Sequence, residues 1–390
     1  MKNKLVELLD YLEEVNEKEV LIKNVTGYGY QFAYDTTVYG SVSLFRFQDI
    51  KIEEYLVPIE NENRPGDIKE SVEFVVVHDT ASSAESAGTL AHARYIYNGG
   101  GGVSWHYSVG DDIIYHHIPD EEVAWHAGDG TLEKFDLVDT GVKAEGKEAL
   151  VTIEDEYYCI NGKKTLIHIP VLSFEKNDEG IYYWLSNGIS GARLKTKEGK
   201  NPSSDEEAQE IVNEVKLCTE RINDAGIHLV MGANGNYYMG KTYYNSTYNF
   251  IANRGGNLNS IGMETMINKG SDLYATWQNT AKLCALLCYQ NNLDISRVKP
   301  HHFFSGKPCP QTMRRAGLWP KFLKLLECEY NILRNYKDVK IEMCSNDKEY
   351  LNDLGRIIKL PSEDMQVSYE VKVTFGNETL SRTYYSNIKL

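Results

Sequence analysis

His301, Lys307 and Cys309 stand close together in the stretch His301-His302-Phe303-Phe304-Ser305-Gly306-Lys307-Pro308-Cys309-Pro310. Imidazole and thiolate are zinc ligands, and an ammonium beside them could face developing negative charge. His301 and Cys309 are eight positions apart, so they converge only if the chain turns back between them. Gly306, Pro308 and Pro310 supply the turn chemistry for that reversal. The strongest third donor is His78, which ends the apolar run Val72-Glu73-Phe74-Val75-Val76-Val77, where a buried strand would project its last side chain at a sheet edge. Two histidines and one thiolate leave a tetrahedral Zn2+ one open position. Such a position separates a hydrolytic zinc from a structural one, because it holds a water whose pKa falls to about 7. A structural site would need a fourth protein ligand, for which His302 and His92 are the candidates. Cys284 and Cys288 share a predicted helix face without a histidine near them in sequence and read as core.

Several elements must position these groups. After the strand to His78, Ser82-Ser83-Ala84-Glu85 has the form of a capping box and predicts a helix through about Tyr97, ended by Gly99 to Gly102. Short strands are predicted over Trp105 to Val109, Ile113 to His116 and Val123 to His126. Further on come a strand at Ile261 to Met266 and a helix from Ser271 with Leu273, Trp277, Cys284 and Leu287 on one face. A closing helix follows Cys309, with Trp319, Phe322, Leu325, Leu326 and Leu333 as its apolar face.

The chain resembles the zinc-dependent N-acetylmuramoyl-L-alanine amidases of type 2, the family that includes bacteriophage lysozyme-amidases and peptidoglycan recognition proteins. Five ordered blocks carry the resemblance: Val75 to Ser82, Val103 to Tyr107, Ala124 to Gly130, Asn259 to Thr265 and His301 to Pro310. It implies an α/β fold with a central mixed β-sheet flanked by helices, one Zn2+ in the catalytic site and peptidoglycan as partner. The implied reaction is hydrolysis of the amide between the lactyl group of N-acetylmuramic acid and the first L-alanine of the stem peptide. The family spacing selects His301 over His302 as the ligand.

Within that resemblance Glu264 is the expected general base, taking a proton from the attacking water and passing it to the departing nitrogen. Lys307 is expected to stabilise the oxyanion. His126, in Trp125-His126-Ala127-Gly128, resembles a substrate-contacting histidine. Trp105 stands where some phage members carry a catalytic tyrosine, and an indole cannot act as acid or base, which shifts proton work to Glu264. Asp79 follows a ligand but points away from it on a regular strand. Tyr237, Tyr238, Tyr243, Tyr244 and Tyr248, with Asn245 and Asn249, offer flat faces and amides suited to sugars. Each has a plainer reading: a solvated glutamate, a turn lysine, a satisfied core histidine and aromatics packing their own strands.

At 390 residues the chain exceeds a single domain. We expect an N-terminal extension over 1–68, an amidase domain over 69–335 interrupted by an insertion over 131–252, and a small β module over 336–390. The first holds an amphipathic helix near Met1 to Val15 and strand-like segments from Tyr28 to Phe47. The insertion, longer than the loop many relatives have there, carries strand-like runs at Ala149 to Ile153, Leu166 to Leu172 and Ile181 to Leu185. A helix capped by Ser204 with Glu207 follows them, and a periodic segment of this length should form a subdomain. In the last module Val367, Tyr369, Val371 and Val373 alternate in phase, which suits antiparallel strands for wall contact or stability.

Composition bounds the rest. With 42% hydrophobic and 25% charged residues the chain reads as globular. A formal charge of −15 argues against a nucleic-acid partner and against adhesion to anionic wall polymers by charge alone. No run of 18 apolar residues predicts membrane insertion, and the first residues lack a signal-peptide core. Seven cysteines without a regular framework suit a reducing compartment. The expectation is synthesis in the cytoplasm and action on the wall after release, as for an endolysin. The rival class is a module that binds muropeptides without cutting them.

Overall fold

A computed structural model of the chain describes residues 3–128, 137–144, 151–169, 171–186, 188–197, 199–217, 229–231, 234–240, 256–305 and 307–390. The chain divides into two compact units: Met1–Ala124 with Ser260–Lys299 and Cys309–Leu390, and Trp125–Asn259 with Pro300–Pro308.

A six-stranded mixed sheet organises the first unit. Its strand order is Val298–Pro300, Phe74–Asp79, Ser260–Thr265, Tyr107–Val109, Ile114–His116 and Ile52–Glu54. Phe74–Asp79 is buried along its whole length, as an uninterrupted apolar run must be when both faces of a strand are covered. Ser260–Thr265 lies parallel to it, in a register that sets Glu264 beside His78 and Thr265 beside Asp79. The helix Leu273–Gln290 packs on these strands, and the helix Trp319–Tyr336 packs on that helix. The first of these is capped by Asp272, whose carboxylate accepts from the Ala275 N–H at 3.0 Å, one residue beyond the expected Ser271.

The chain's first and last segments meet in the same unit. Helix Lys4–Glu14 buries Leu5, Leu8, Leu9 and Leu12, and these join Val367, Tyr369, Val371 and Val373 in one apolar cluster with the sheet's Val75, Val77, Ile261 and Met263. Lys340–Ser345, Met365–Phe375 and Glu378–Ile388 form an antiparallel sheet. Tyr384 donates to the Leu9 carbonyl at 2.7 Å, and Arg382 pairs with Asp10 and Glu13. An antiparallel hairpin, Ile22–Tyr28 with Ala33–Tyr39, completes the N-terminal region.

In the second unit three small antiparallel sheets account for the described strands between Leu137 and Gly240. Tyr158, Tyr182, Trp184, Leu194, Ala208, Val212 and Met239 form their own apolar cluster. The helix Asp205–Leu217 begins as expected, with Ser204 Oγ accepting from the Glu207 N–H at 3.2 Å and the Glu207 carboxylate accepting from Ser203.

Two expected elements differ. The helix ending at Tyr97 begins at Thr89 rather than at Ser82; the Ser83 N–H and hydroxyl both donate to Gln31 Oε1 of the N-terminal hairpin, at 3.0 and 3.3 Å. Val123 to His126 is not a strand. The N–H groups of His126 and Ala127 instead donate to Asn257 Oδ1 at 2.9 and 2.7 Å.

Candidate active site

In parallel strands, residues paired in register project to the same side of the sheet. That pairing puts Glu264 Oε1 3.9 Å from His78 Nδ1, with the imidazole buried and the carboxylate 14% exposed. Thr265, on the opposite face, donates its hydroxyl to the His78 carbonyl at 2.7 Å and fixes the strand pair at the level of the two functional side chains.

Cys309 reaches this strand end from the far side of the chain. The Asp79 N–H points at Cys309 Sγ at 3.4 Å, and Asp79 Oδ2 accepts from the Thr312 N–H at 2.8 Å. The Asp79 carboxylate therefore holds the turn that carries the sulfur. Burial pushes its carboxyl up to about 6, against the opposing effect of hydrogen bonds from Thr312, Cys309 and Gln311.

His301 directly follows the edge strand Val298–Pro300. Burial, then the positive charges of Lys307, His126 and His302, hold its imidazole well below the usual histidine range. It is therefore neutral, the form that ligates metal. Ligand atoms of His78, His301 and Cys309 all lie within 4.8 Å of one another. Two imidazole nitrogens and a sulfur so placed fit Zn2+ with a fourth position left for solvent.

Residues 68–159 match the N-acetylmuramoyl-L-alanine amidase family. The chain is 40% identical over 82 residues to the N-acetylmuramoyl-L-alanine amidase CwlH of Bacillus subtilis (strain 168), covering 21% of this chain and 32% of that protein. It is 42% identical over 81 residues to the amidase XlyA of the same organism, covering 21% and 27%. Over this segment the chain is similar to N-acetylmuramoyl-L-alanine amidases. The match spans about a third or less of the length of these relatives. Among solved structures, the catalytic domain of XlyA aligns over 71% of this chain and 99% of that one, at 20% identity and a TM-score of 0.38.

The family segment contains His78, Trp105 and His126, whereas Glu264, His301 and Cys309 lie beyond it. Trp105 is 5% exposed and donates its indole N–H to Ser108 Oγ at 2.8 Å, so the ring has little surface to offer a ligand. His126 is partly buried and contributes to the field at His301. Lys307 is exposed, and its carbonyl oxygen lies 2.9 Å from His302 Nδ1. Tyr237 is buried in the second unit's apolar cluster, while the Tyr238 hydroxyl accepts from Asn234 at 3.1 Å. Tyr243, Tyr244, Tyr248, Asn245 and Asn249 lie outside the described residues.

Sequence reasoning missed two positioning groups around the strands that carry His78 and Glu264. One is Asp79, for the turn after Cys309. The other is His106, whose Nδ1 accepts from the Gly262 N–H at 3.0 Å. Nε2 then carries the proton and donates to the Glu122 carbonyl at 3.0 Å. A histidine inside the Trp105-His106-Tyr107 block was the available signal.

Proposed function

We propose that this chain hydrolyses the amide between N-acetylmuramic acid and L-alanine in peptidoglycan, with one Zn2+ held by His78, His301 and Cys309. The observation that carries this reading is the convergence of those three donors within 4.8 Å, with Glu264 paired in register beside His78. Zinc bound there supplies a Lewis acid and lowers the pKa of an adjacent water. Glu264 accepts the proton of the attacking water and delivers it to the departing alanine nitrogen. Lys307, on the segment joining the two later ligands, supplies positive charge for the oxyanion. His126 is the substrate-contacting residue that fits best, since its side chain is only partly buried.

The proposal extends to the setting: a bacteriolytic enzyme of the endolysin kind, made in the cytoplasm and acting on the wall after release. The C-terminal strands bury their valine face beside the N-terminal helix, which favours a stabilising role for that module over wall contact. Cys309 beside two histidines and Glu264 favours cutting over mere muropeptide recognition.

Zinc content and product mass spectrometry on defined muropeptides test the reading. Wild type should bind one zinc and release a free lactyl carboxylate and a free alanine amine. Cys309→Ser should lose the metal, and Glu264→Gln should keep it while losing roughly 100- to 10,000-fold in rate. Full activity in a zinc-loaded Glu264→Gln variant would remove Glu264 from the reaction.

A further inference from the structure

The N-terminal hairpin has no counterpart in the family segment, yet its tip is fastened to the turns that follow two of the three ligands. The Tyr30 N–H donates to the Ala81 carbonyl at 2.8 Å, three residues after His78. Gln31 Oε1 accepts from Ser83, and the Phe32 N–H points at Ser83 Oγ at 3.3 Å. On the other side the Tyr28 N–H donates to Thr312 Oγ1 at 3.1 Å, three residues after Cys309, and Arg315 lies over the Tyr28 ring at 4.7 Å. Tyr34 donates to the Ile267 carbonyl at 2.6 Å, just past the Glu264 strand.

Tyr28, Gln31 and Phe32 are therefore tied down around Tyr30, while its own side chain is 89% exposed. A lone exposed aromatic on a surface ordinarily carries no message. This one is distinguished by its surroundings: its own N–H is bonded to the turn after His78, and the N–H of Tyr28, two residues before it, to the turn after Cys309.

We propose that the hairpin tip forms part of the muropeptide-binding surface and that Tyr30 contacts the substrate beside the scissile amide. A rigid aromatic with a hydroxyl presents a flat apolar face and a polar tip at small entropic cost. Those are the features needed to meet a sugar ring or a lactyl-peptide backbone. With Trp105 buried, Tyr30 gives the site a surface phenol from a different part of the chain. The inference rests on the amidase reading for its ligand, but not on turnover.

The test measures the Kd of a soluble N-acetylmuramoyl-L-alanyl peptide on zinc-loaded full-length protein, alongside kcat, KM and zinc content. Tyr30→Ala should raise Kd and KM about 3- to 12-fold, the range of an aromatic contact, with zinc content unchanged and kcat within about threefold. Tyr30→Phe should recover most of the affinity if the ring makes the contact. Unchanged Kd in Tyr30→Ala overturns the proposal, as does a loss of zinc that accounts for the weaker binding. If wild type binds the peptide without cutting it, the hydrolase reading fails alone and the Kd comparison still decides the role of Tyr30. If wild type binds no muropeptide, both fail.

Discussion

The hairpin Ile22–Tyr39 lies outside the family segment, whereas the region over 131–252, expected from the sequence to be an insertion, begins inside it, and the two spend their polar groups differently. The hairpin tip directs Tyr28, Tyr30, Gln31 and Phe32 to Thr312, Ala81 and Ser83, residues that follow ligands. Insertion strands pair with one another and close over Tyr158, Tyr182 and Trp184. A region whose hydrogen bonds end on ligand-bearing turns should be coupled to the site. One with a core of its own can open without disturbing the sheet that carries His78 and Glu264.

The strongest way to break this comparison is to empty the insertion's core. Trp184 is fully buried, so Trp184→Ala should cost roughly 3–5 kcal/mol locally. Hydrogen exchange should quicken in Tyr182–Ser186 and its partner Leu172–Lys176 and stay as in wild type along Phe74–Asp79 and Ser260–Thr265. Equal loss of protection in both places would mean that the insertion has no independent stability.

A pH experiment sharpens the other side. Glu329, on the closing helix, accepts from the Arg46 N–H at 2.6 Å and so ties the N-terminal extension to the helical layer. Burial pushes its carboxyl up to about 7, opposed by the nearby Lys282 and Arg46. The folded state thus keeps a proton that the unfolded chain has released. This group's contribution is complete below its ordinary value near 4.5 and is lost as pH rises through about 7. Relative to Glu329→Gln, wild type should lose up to about 3 kcal/mol between pH 4.5 and pH 8. Urea midpoints at the two pH values read this directly, and parallel losses in both proteins would exclude a titrating Glu329.

Next in size is the clamp on the Cys309 turn. Asp79→Ala leaves the buried Thr312 N–H without its acceptor, and removing a group that orients a ligand typically weakens metal binding about 10- to 100-fold. Zinc affinity should fall by that amount while far-UV circular dichroism is preserved. Unaltered affinity would show that the Cys309-Pro310-Gln311-Thr312 turn holds its shape without the carboxylate.

How much of this was legible depends on the distance over which each contact acts. Val75-Val76-Val77 announces a buried strand and His78 its end, and Ile261 to Met266 announces another. That they share a mixed sheet was implied by the family resemblance, not by either run. Register is a property of the pair, so Glu264 beside His78 emerges only in the folded sheet. Alternation on a regular strand predicts that Asp79 points away from His78 but gives no sign of the Cys309 turn, 230 positions along the chain, that its carboxylate meets. Ser82 to Glu85 has the pattern of a cap, yet the helix starts at Thr89 and the Ser83 donors go to Gln31, 52 positions earlier. The same long-range docking made Tyr30 invisible, since nothing near it in sequence points to a ligand.

The finest probe is Gly29, beside Tyr30 in the tip. A Cβ there would come within 2.7 Å of the Ser83 backbone nitrogen and closer still to its side chain. A side chain can rotate aside, but a backbone nitrogen bonded to Gln31 cannot, so Gly29→Ala must lift the tip off the Ala81–Ser83 turn. Combining it with Ser83→Ala removes the hydroxyl and leaves the backbone obstacle, so the double variant should behave like Gly29→Ala. Both should raise the muropeptide Kd about 2- to 5-fold, under about 1 kcal/mol, without loss of zinc. An unaffected Kd would mean that the ring finds the substrate regardless of where the hairpin is pinned, and the coupling drawn from its hydrogen bonds would be lost.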